Sequence, residues 1–139
     1  MANKAHSGEK YEVFISYKLS AQRKLEGFPV KLARKHSHVF RIDLRLEAAA
    51  LDERGVTADF YDVKKCIGGA IGDLQDSFLN EIPDFVDESV GEAVNPTGEV
   101  VARVLWDRIE PALAESFPNL KLKVIYVAES PSCKIIYSR

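Results

Sequence analysis

Two histidines one residue apart, His36-Ser37-His38, are the densest concentration of chemically versatile side chains in this chain. They head an alternating run, His38-Val39-Phe40-Arg41-Ile42-Asp43-Leu44-Arg45-Leu46, whose period of two predicts a half-buried strand ending near Glu47. Residues i and i+2 of a strand face the same way, so both imidazoles should project from one face. Such a pair can begin a zinc site, which needs a third or fourth ligand from elsewhere. The same pair reads equally as two surface histidines where a loop becomes a strand, and His-x-His spacing alone does not separate the two. A metal-free use is also open, because an unligated imidazole titrates near neutrality and can serve as general acid or base.

The rest of the composition narrows the classes of function. A chain of 139 residues fits one domain and can bury a real core. Its 19 Lys+Arg against 21 Asp+Glu leave a formal charge of -2, so no basic excess points to nucleic acid. The polar stretch Met1 to Lys10 holds no apolar signal-peptide core, and no apolar run approaches membrane-spanning length. A soluble, cytoplasmic protein without a membrane partner is therefore the expectation. No dinucleotide fingerprint or phosphate loop favours redox chemistry or phosphoryl transfer.

Elements that would position the histidines follow in order. Residues 1–9 are small and polar and are expected to be flexible, with His6 a solvated side chain; a single domain should fill 10–139. Tyr11, Val13, Ile15, Tyr17 and Leu19 alternate as a first strand, and Ser20 to Lys35, with Gly27 and Pro29, reads as a loop. After the second strand, Ala48 to Gly55 reads as a hairpin-like wide turn, and Val56 to Phe60 as a short extended segment. A helix from about Tyr61 carries Val63, Cys66, Ile67, Ala70, Ile71 and Leu74 at helical spacing. Gly68-Gly69 inside it should weaken it unless sheet packing compensates or a backbone approaches closely. Leu74 to Val94 is irregular. A second helix opens at Asn95-Pro96-Thr97-Gly98-Glu99, with Thr97, Asn95 or the Pro96 turn as its cap. Its buried stripe is Val101, Val104, Leu105, Ile109 and Leu113, with Trp106 to one side and Pro111 expected to kink or divide it. Leu120 to Ala128 alternates as a third strand, and Lys134 to Tyr137 makes a fourth. Cys66 reads as a core residue and Cys133 as structural. The pattern predicts an α+β domain: an antiparallel sheet with two helices on one face.

Several phrases in this order resemble the 6-pyruvoyl- and 6-carboxytetrahydropterin synthases. They are the His-x-His opening strand two, Thr57-Ala58-Asp59-Phe60 before helix one, Leu79-Asn80, Asn95-Pro96-Thr97-x-Glu99 opening helix two, and Val127-Ala128-Glu129 ending strand three. The resemblance covers Tyr11 to Tyr137. It implies the tunnelling fold, a four-stranded antiparallel sheet with two helices in the order ββααββ. It also implies subunits that close their sheets into an oligomeric barrel, usually a homohexamer of stacked trimers, with small-molecule sites at the interfaces.

Residue by residue, the resemblance is incomplete. The family holds zinc with three histidines, and His36 and His38 match its pair. The first belongs to a phrase of the type Ala-Ala-His-Arg-Leu, where this chain has Ala21-Gln22-Arg23-Lys24-Leu25. Aligned through Leu25, Arg23 takes the histidine's place; slipped by one residue, Gln22 does. A guanidinium has no lone pair to give and an amide oxygen is a weak donor. Leu32 stands where the family's cysteine usually lies, and Gln75-Asp76 where its catalytic Asp-His pair lies. Glu129 matches the glutamate that anchors the guanidine-like edge of the pterin. Thr97 is expected beside the substrate, with Asp59 and Thr97 holding the backbone around the site.

The leading reading is a diverged lyase- or cyclase-type enzyme on a small heterocyclic or amine-bearing substrate. In it His36 and His38 act as acid/base groups, Arg23 replaces the positive charge of zinc, Asp76 is a second carboxylate and Glu129 anchors the ligand. One alternative is a non-catalytic ligand-binding or scaffold homologue. The other is a zinc enzyme that completes its metal shell with Gln22 or with a residue of a neighbouring subunit. No cofactor is expected in the leading reading, and zinc is the one considered.

Overall fold

A computed structural model of the chain describes residues 6–139, so the flexibility expected for residues 1–5 lies outside the described residues. Residues 6–9 form a turn in which the Glu9 N–H donates to the His6 carbonyl at 3.0 Å, and the His6 side chain is exposed. The elements are β1 (Tyr11–Arg23), a single-turn helix α1 (Val30–Ala33), β2 (His36–Ala48), α2 (Phe60–Ile71), a small ribbon β3 (Val86–Asp87) with β4 (Glu92–Ala93), α3 (Gly98–Ser116), β5 (Lys121–Ser130) and β6 (Cys133–Tyr137). The main sheet runs β1-β2-β5-β6 with every neighbouring pair antiparallel. This is the expected α+β arrangement. No helix among the described residues is long and apolar enough to cross a membrane.

The alternation seen in the sequence decides which face of the sheet is covered. Ile15, Leu19, Phe40, Ile42, Leu44, Leu46, Ile125 and Val127 point to one side, where Val63 and Ile67 of α2 and Val101, Leu105, Ile109 and Leu113 of α3 meet them in one core. The other face carries Phe14, Val39 and Ile136, all more than half exposed. Each helix starts on a side-chain cap. Asp59 accepts from the Tyr61 and Asp62 amides, and the Thr97 hydroxyl accepts from Val100 N–H at 3.3 Å.

Several expectations are corrected. The segment Ser20–Arg23 is strand, not loop: β1 pairs through Ser20↔Val39, Ala21↔His38, Gln22↔Ser37 and Arg23↔His36. Ala48 to Gly55 is not a strand hairpin. Asp52 N–H bonds the Val56 carbonyl around Gly55, whose φ of +82° suits glycine, and the chain passes on into α2. Helix α3 runs undivided through Pro111, which lies on its exposed side; the Asp107 carbonyl that loses a partner four residues back belongs to the same solvent-facing side. Trp106 is buried, edge-to-face with Tyr137 at 5.8 Å. Cys66 packs against the core as expected, its thiol 3.6 Å from the Ala112 carbonyl, whereas Cys133 is exposed.

Gly68 and Gly69 admit no close backbone approach, for a Cβ built on either meets nothing within 4 Å. Their helical cost is therefore uncompensated locally. Gly69→Ala should raise stability by about 0.5–1 kcal/mol, read as a higher urea midpoint at unchanged m-value.

Candidate functional site

The candidate cluster forms where the ends of three strands meet the start of α3. Alternation along β1 turns Ala21 and Arg23 inward together with Leu19, and Arg23 is left only 4% exposed. A guanidinium cannot shed its proton, so a buried one requires an acid and hydrogen-bond acceptors. Glu129 supplies the acid. It follows Ile125 and Val127 on the covered side of β5, at a register irregularity where β5 and β6 pair Ala128↔Lys134 and then Ser130↔Cys133. Arg23 Nη1 donates to Glu129 Oε1 at 3.0 Å and Nη2 to Oε2 at 2.6 Å, a parallel fork. Nη1 also donates to the Pro96 carbonyl at 3.0 Å, and the guanidinium lies 4.8 Å above the Phe40 ring.

Both histidines face this cluster. The strand register sets His36 opposite Arg23, and His38 follows two residues on, its ring edge-to-face with Phe40 at 4.6 Å. His38 Nε2 is 3.1 Å from Glu129 Oε2, a close ionic contact whose angles fall short of a hydrogen bond. His36 Nδ1 lies 2.9 Å from the Arg34 carbonyl, so its proton sits on Nδ1 in the neutral ring and Nε2 carries the lone pair. His36 Nε2, His38 Nε2 and Arg23 Nε are all buried without a hydrogen-bond partner.

The start of α3 closes the cluster. A Cβ on Gly98 would come within 2.5 Å of Ile135 Cδ1 and 2.7 Å of Glu129 Oε1, so the carboxylate packs directly against the helix N-terminus. The strand-end loop is held by two asparagines: Asn80, to which the sequence gave no role, and Asn95, which was one candidate cap of the second helix and does not cap it. Asn80 accepts from Lys24 N–H and donates to Lys24 O, both at 2.9 Å, and Asn95 does the same to Glu26 at 2.9 and 2.8 Å. Their place in Leu79-Asn80 and Asn95-Pro96-Thr97 was the available signal; the partners they clamp were not visible.

Not all expected site residues gather here. Gln22 points to the opposite face of the sheet from His36 and His38, as its neighbours in the alternation require, and is no candidate for a shared metal shell. Asp76 lines a hollow of about 170 Å³ with Gln22 and Ser37, held there by its N–H bond to the Ser20 carbonyl at 2.7 Å. Thr97 caps α3 with its hydroxyl. Zinc does not fit the cluster. The position the resemblance gives to a third histidine holds a guanidinium, which forks the nearest carboxylate, and among the described residues no three His, Cys, Asp or Glu side chains are placed so that they could hold one metal ion.

Burial pushes the His38 pKa below the ordinary histidine value, helped by the Arg23 charge and opposed by Glu129. Burial alone would raise Glu129, but the Arg23 hydrogen bonds and charge, with His38 and the Gly98 amide, bring it below the usual carboxylate value. Both groups thus bind protons more readily when the chain is unfolded. Stability should be full above about pH 6.5, the ordinary histidine value, fall as pH drops toward the folded-state pKa of His38, and fall again as Glu129 protonates. Urea midpoints followed from neutral to acid pH check this, and His38→Gln should remove the upper step. Arg23→Met should cost up to about 3 kcal/mol by leaving the half-buried Glu129 without its fork, and Arg23→Met/Glu129→Leu clearly less than the sum of the single changes.

Comparison with known proteins agrees with this architecture. A family model described as 6-pyruvoyl tetrahydropterin synthase matches residues 12–139. The 6-carboxy-5,6,7,8-tetrahydropterin synthase of Bacillus subtilis is 26% identical over 106 residues, which are 76% of this chain and 68% of the relative. That of Aquifex aeolicus is 23% identical over 126 residues, covering 81% and 78%. The 6-pyruvoyl tetrahydropterin synthase structure from Caenorhabditis elegans matches with a TM-score of 0.70 at 16% identity, over 94% of this chain and 96% of that one. At that identity the structural likeness speaks for the fold. With the family model spanning nearly the whole chain, the protein belongs to the 6-pyruvoyl tetrahydropterin synthase family.

Proposed function

We propose that this family member is a lyase- or cyclase-type enzyme that works by metal-free acid/base chemistry on a small substrate. The observation that carries the reading is the pair of buried imidazole Nε2 atoms left unpartnered beside a fixed guanidinium. His36 and His38 are the proton-transfer groups, and the depressed pKa of His38 keeps it available as a base at neutral pH. Arg23 supplies the fixed positive charge that a metal would otherwise supply and can polarise a carbonyl oxygen. Glu129 positions Arg23. As an anchor for an amine-bearing ligand it would first have to release that fork, which revises the role the resemblance suggested. Asp76 is assigned no proton transfer at this cluster. The family relationship further supports a homo-oligomer, a homohexamer of stacked trimers, with the pocket completed at a subunit interface.

A second reading, a non-catalytic binding or scaffold homologue, is favoured by one observation: both Glu129 oxygens are already satisfied within the chain.

The deciding experiment incubates the oligomer with reduced pterins and related carbonyl-bearing heterocycles, with and without chelator. Product formation should survive chelation and fall by about 10²–10⁴-fold in His38→Ala. Chelator-sensitive turnover, or an unchanged rate in His36→Ala/His38→Ala, overturns the acid/base reading. Binding without any product supports the scaffold alternative.

A further inference from the structure

A second arginine organises the stretch between α2 and β3, far from the histidines in the chain. Arg108, on α3 and 18% exposed, donates from Nη1 to the Ala70 carbonyl at 3.3 Å and to Asp73, where α2 gives out. From Nε and Nη2 it forks Asp84 at 3.0 and 2.8 Å. One guanidinium thus closes the base of the loop 73–84, which is built around single turns of 3₁₀ helix at Gly72–Leu74, Leu79–Glu81 and Pro83–Phe85. The top of that loop is spent on the end of β1. Ser20 N–H donates to Gln75 Oε1 at 3.1 Å, Asp76 N–H to the Ser20 carbonyl at 2.7 Å and Gln22 N–H to the Ser77 carbonyl at 2.7 Å. Asn80 then clamps both backbone groups of Lys24. Arg23 lies between Gln22 and Lys24, so the loop holds the residue on each side of it while its own side chain turns inward to Glu129. Asp76 sits at φ +59°, the one non-glycine among the described residues in the left-handed region. Such a conformation persists only where the surroundings over-determine it. Here they do so from two sides, the edge of β1 and the closure at Arg108.

We propose that Arg108 is a positioning residue for the Arg23 cluster: by closing the 73–84 loop at its base it fixes the end of β1, and through it the place of the Arg23 guanidinium. Its hydrogen bonds all go to the base of the loop and none to Arg23, Glu129 or the histidines, so the coupling runs through backbone. Freed at the base, the loop regains the conformational entropy that closure removes. The strain at Asp76 then has a route to relax, and the bonds at Ser20, Gln22 and Lys24 open together. The end of β1 keeps its pairing to β2 at Gln22↔Ser37 and Arg23↔His36 but loses its support on the other edge. For any consequence on turnover this rests on the reading of Arg23 as the fixed charge of the site; the placement itself does not.

The test is native-state amide hydrogen exchange on the intact protein, read together with the nitrogen-15 signal of the Arg23 Nε–H. Arg108→Gln should speed exchange at the Gln22, Lys24 and Asp76 amides by about 10- to 100-fold, the worth of a hydrogen bond to a charged group. That gain should exceed any change at Leu44 and Ile125 in the middle of the sheet. The Arg23 signal should shift with it. Arg108→Lys, which reaches one aspartate at a time, should fall between the two proteins. Ile67→Val, a modest loss in the buried face of α2, is the control for stability alone and should speed no amide at the end of β1 more than those of the central strands. Asp84→Asn removes the fork from the other side and should give the Arg108→Gln pattern, which keeps the test open if that variant does not fold. Exchange that rises evenly across the sheet, or an Arg23 signal that stays in place while the loop amides speed up, overturns the proposal. Absence of turnover with every heterocycle would remove the lyase reading and leave this result intact. Turnover in the unaltered protein with an unmoved Arg23 signal in Arg108→Gln would remove this inference alone.

Discussion

The fork between Arg23 and Glu129 is the constraint on which the arrangement of the site depends. A guanidinium that is 4% exposed needs partners for its charge, and the structure brings three separate pieces of chain to it at the end of β1: Phe40 of β2, the Pro96 carbonyl and Glu129 near the end of β5. Burying an ion pair is a poor source of stability, since both charges give up their water. Its value here is orientation. Bidentate geometry fixes the plane of the guanidinium, and with it the direction of the remaining N–H and the neighbourhood of the two imidazoles.

That arrangement is compatible with a family likeness across nearly the whole chain. The sheet, the two helices and the turns that deliver His36, His38 and Glu129 are set by apolar alternation and by capping, and these survive almost any change at the polar cluster. The cluster itself depends on one side chain at position 23. A neutral ligand donor there would leave the imidazoles and the carboxylate to a cation from outside, whereas a guanidinium brings the cation within the chain. The fold is indifferent to this exchange, because function resides in the site and not in the scaffold.

How much of this could be read from residues alone follows from the range of each interaction. The four strands of the main sheet, the common face of His36 and His38 and a cap near Thr97 rest on neighbours within a few positions and were legible, whereas the ribbon of β3 and β4 lies in a stretch that reads as irregular. The extension of β1 to Arg23 was not, because Ser20 and Gln22 look loop-like until their pairing to Val39 and Ser37 and the bond from Gln22 N–H to the Ser77 carbonyl are seen. Pro111 looked disruptive, but a proline on a solvent-facing side of a long, well-packed helix forfeits one hydrogen bond, which the buried stripe from Val101 to Leu113 outweighs. Least legible was the partner of Arg23. Nothing near position 23 in the sequence points to Glu129, which was expected to anchor a ligand; the sheet order and the pairing at the end of β5 bring the two together.

Arg23 and Glu129 are separated by 106 positions. Synthesis proceeds from the N-terminus, so the hairpin of β1 and β2 can form long before β5 leaves the ribosome, with a cation on its inner face and no counter-charge in reach. Until the last strands arrive, that face has reason to stay wet and loosely packed. The ion pair thus ties the drying of the core beside the histidines to a contact of high sequence separation, which can be made only once β5 has docked.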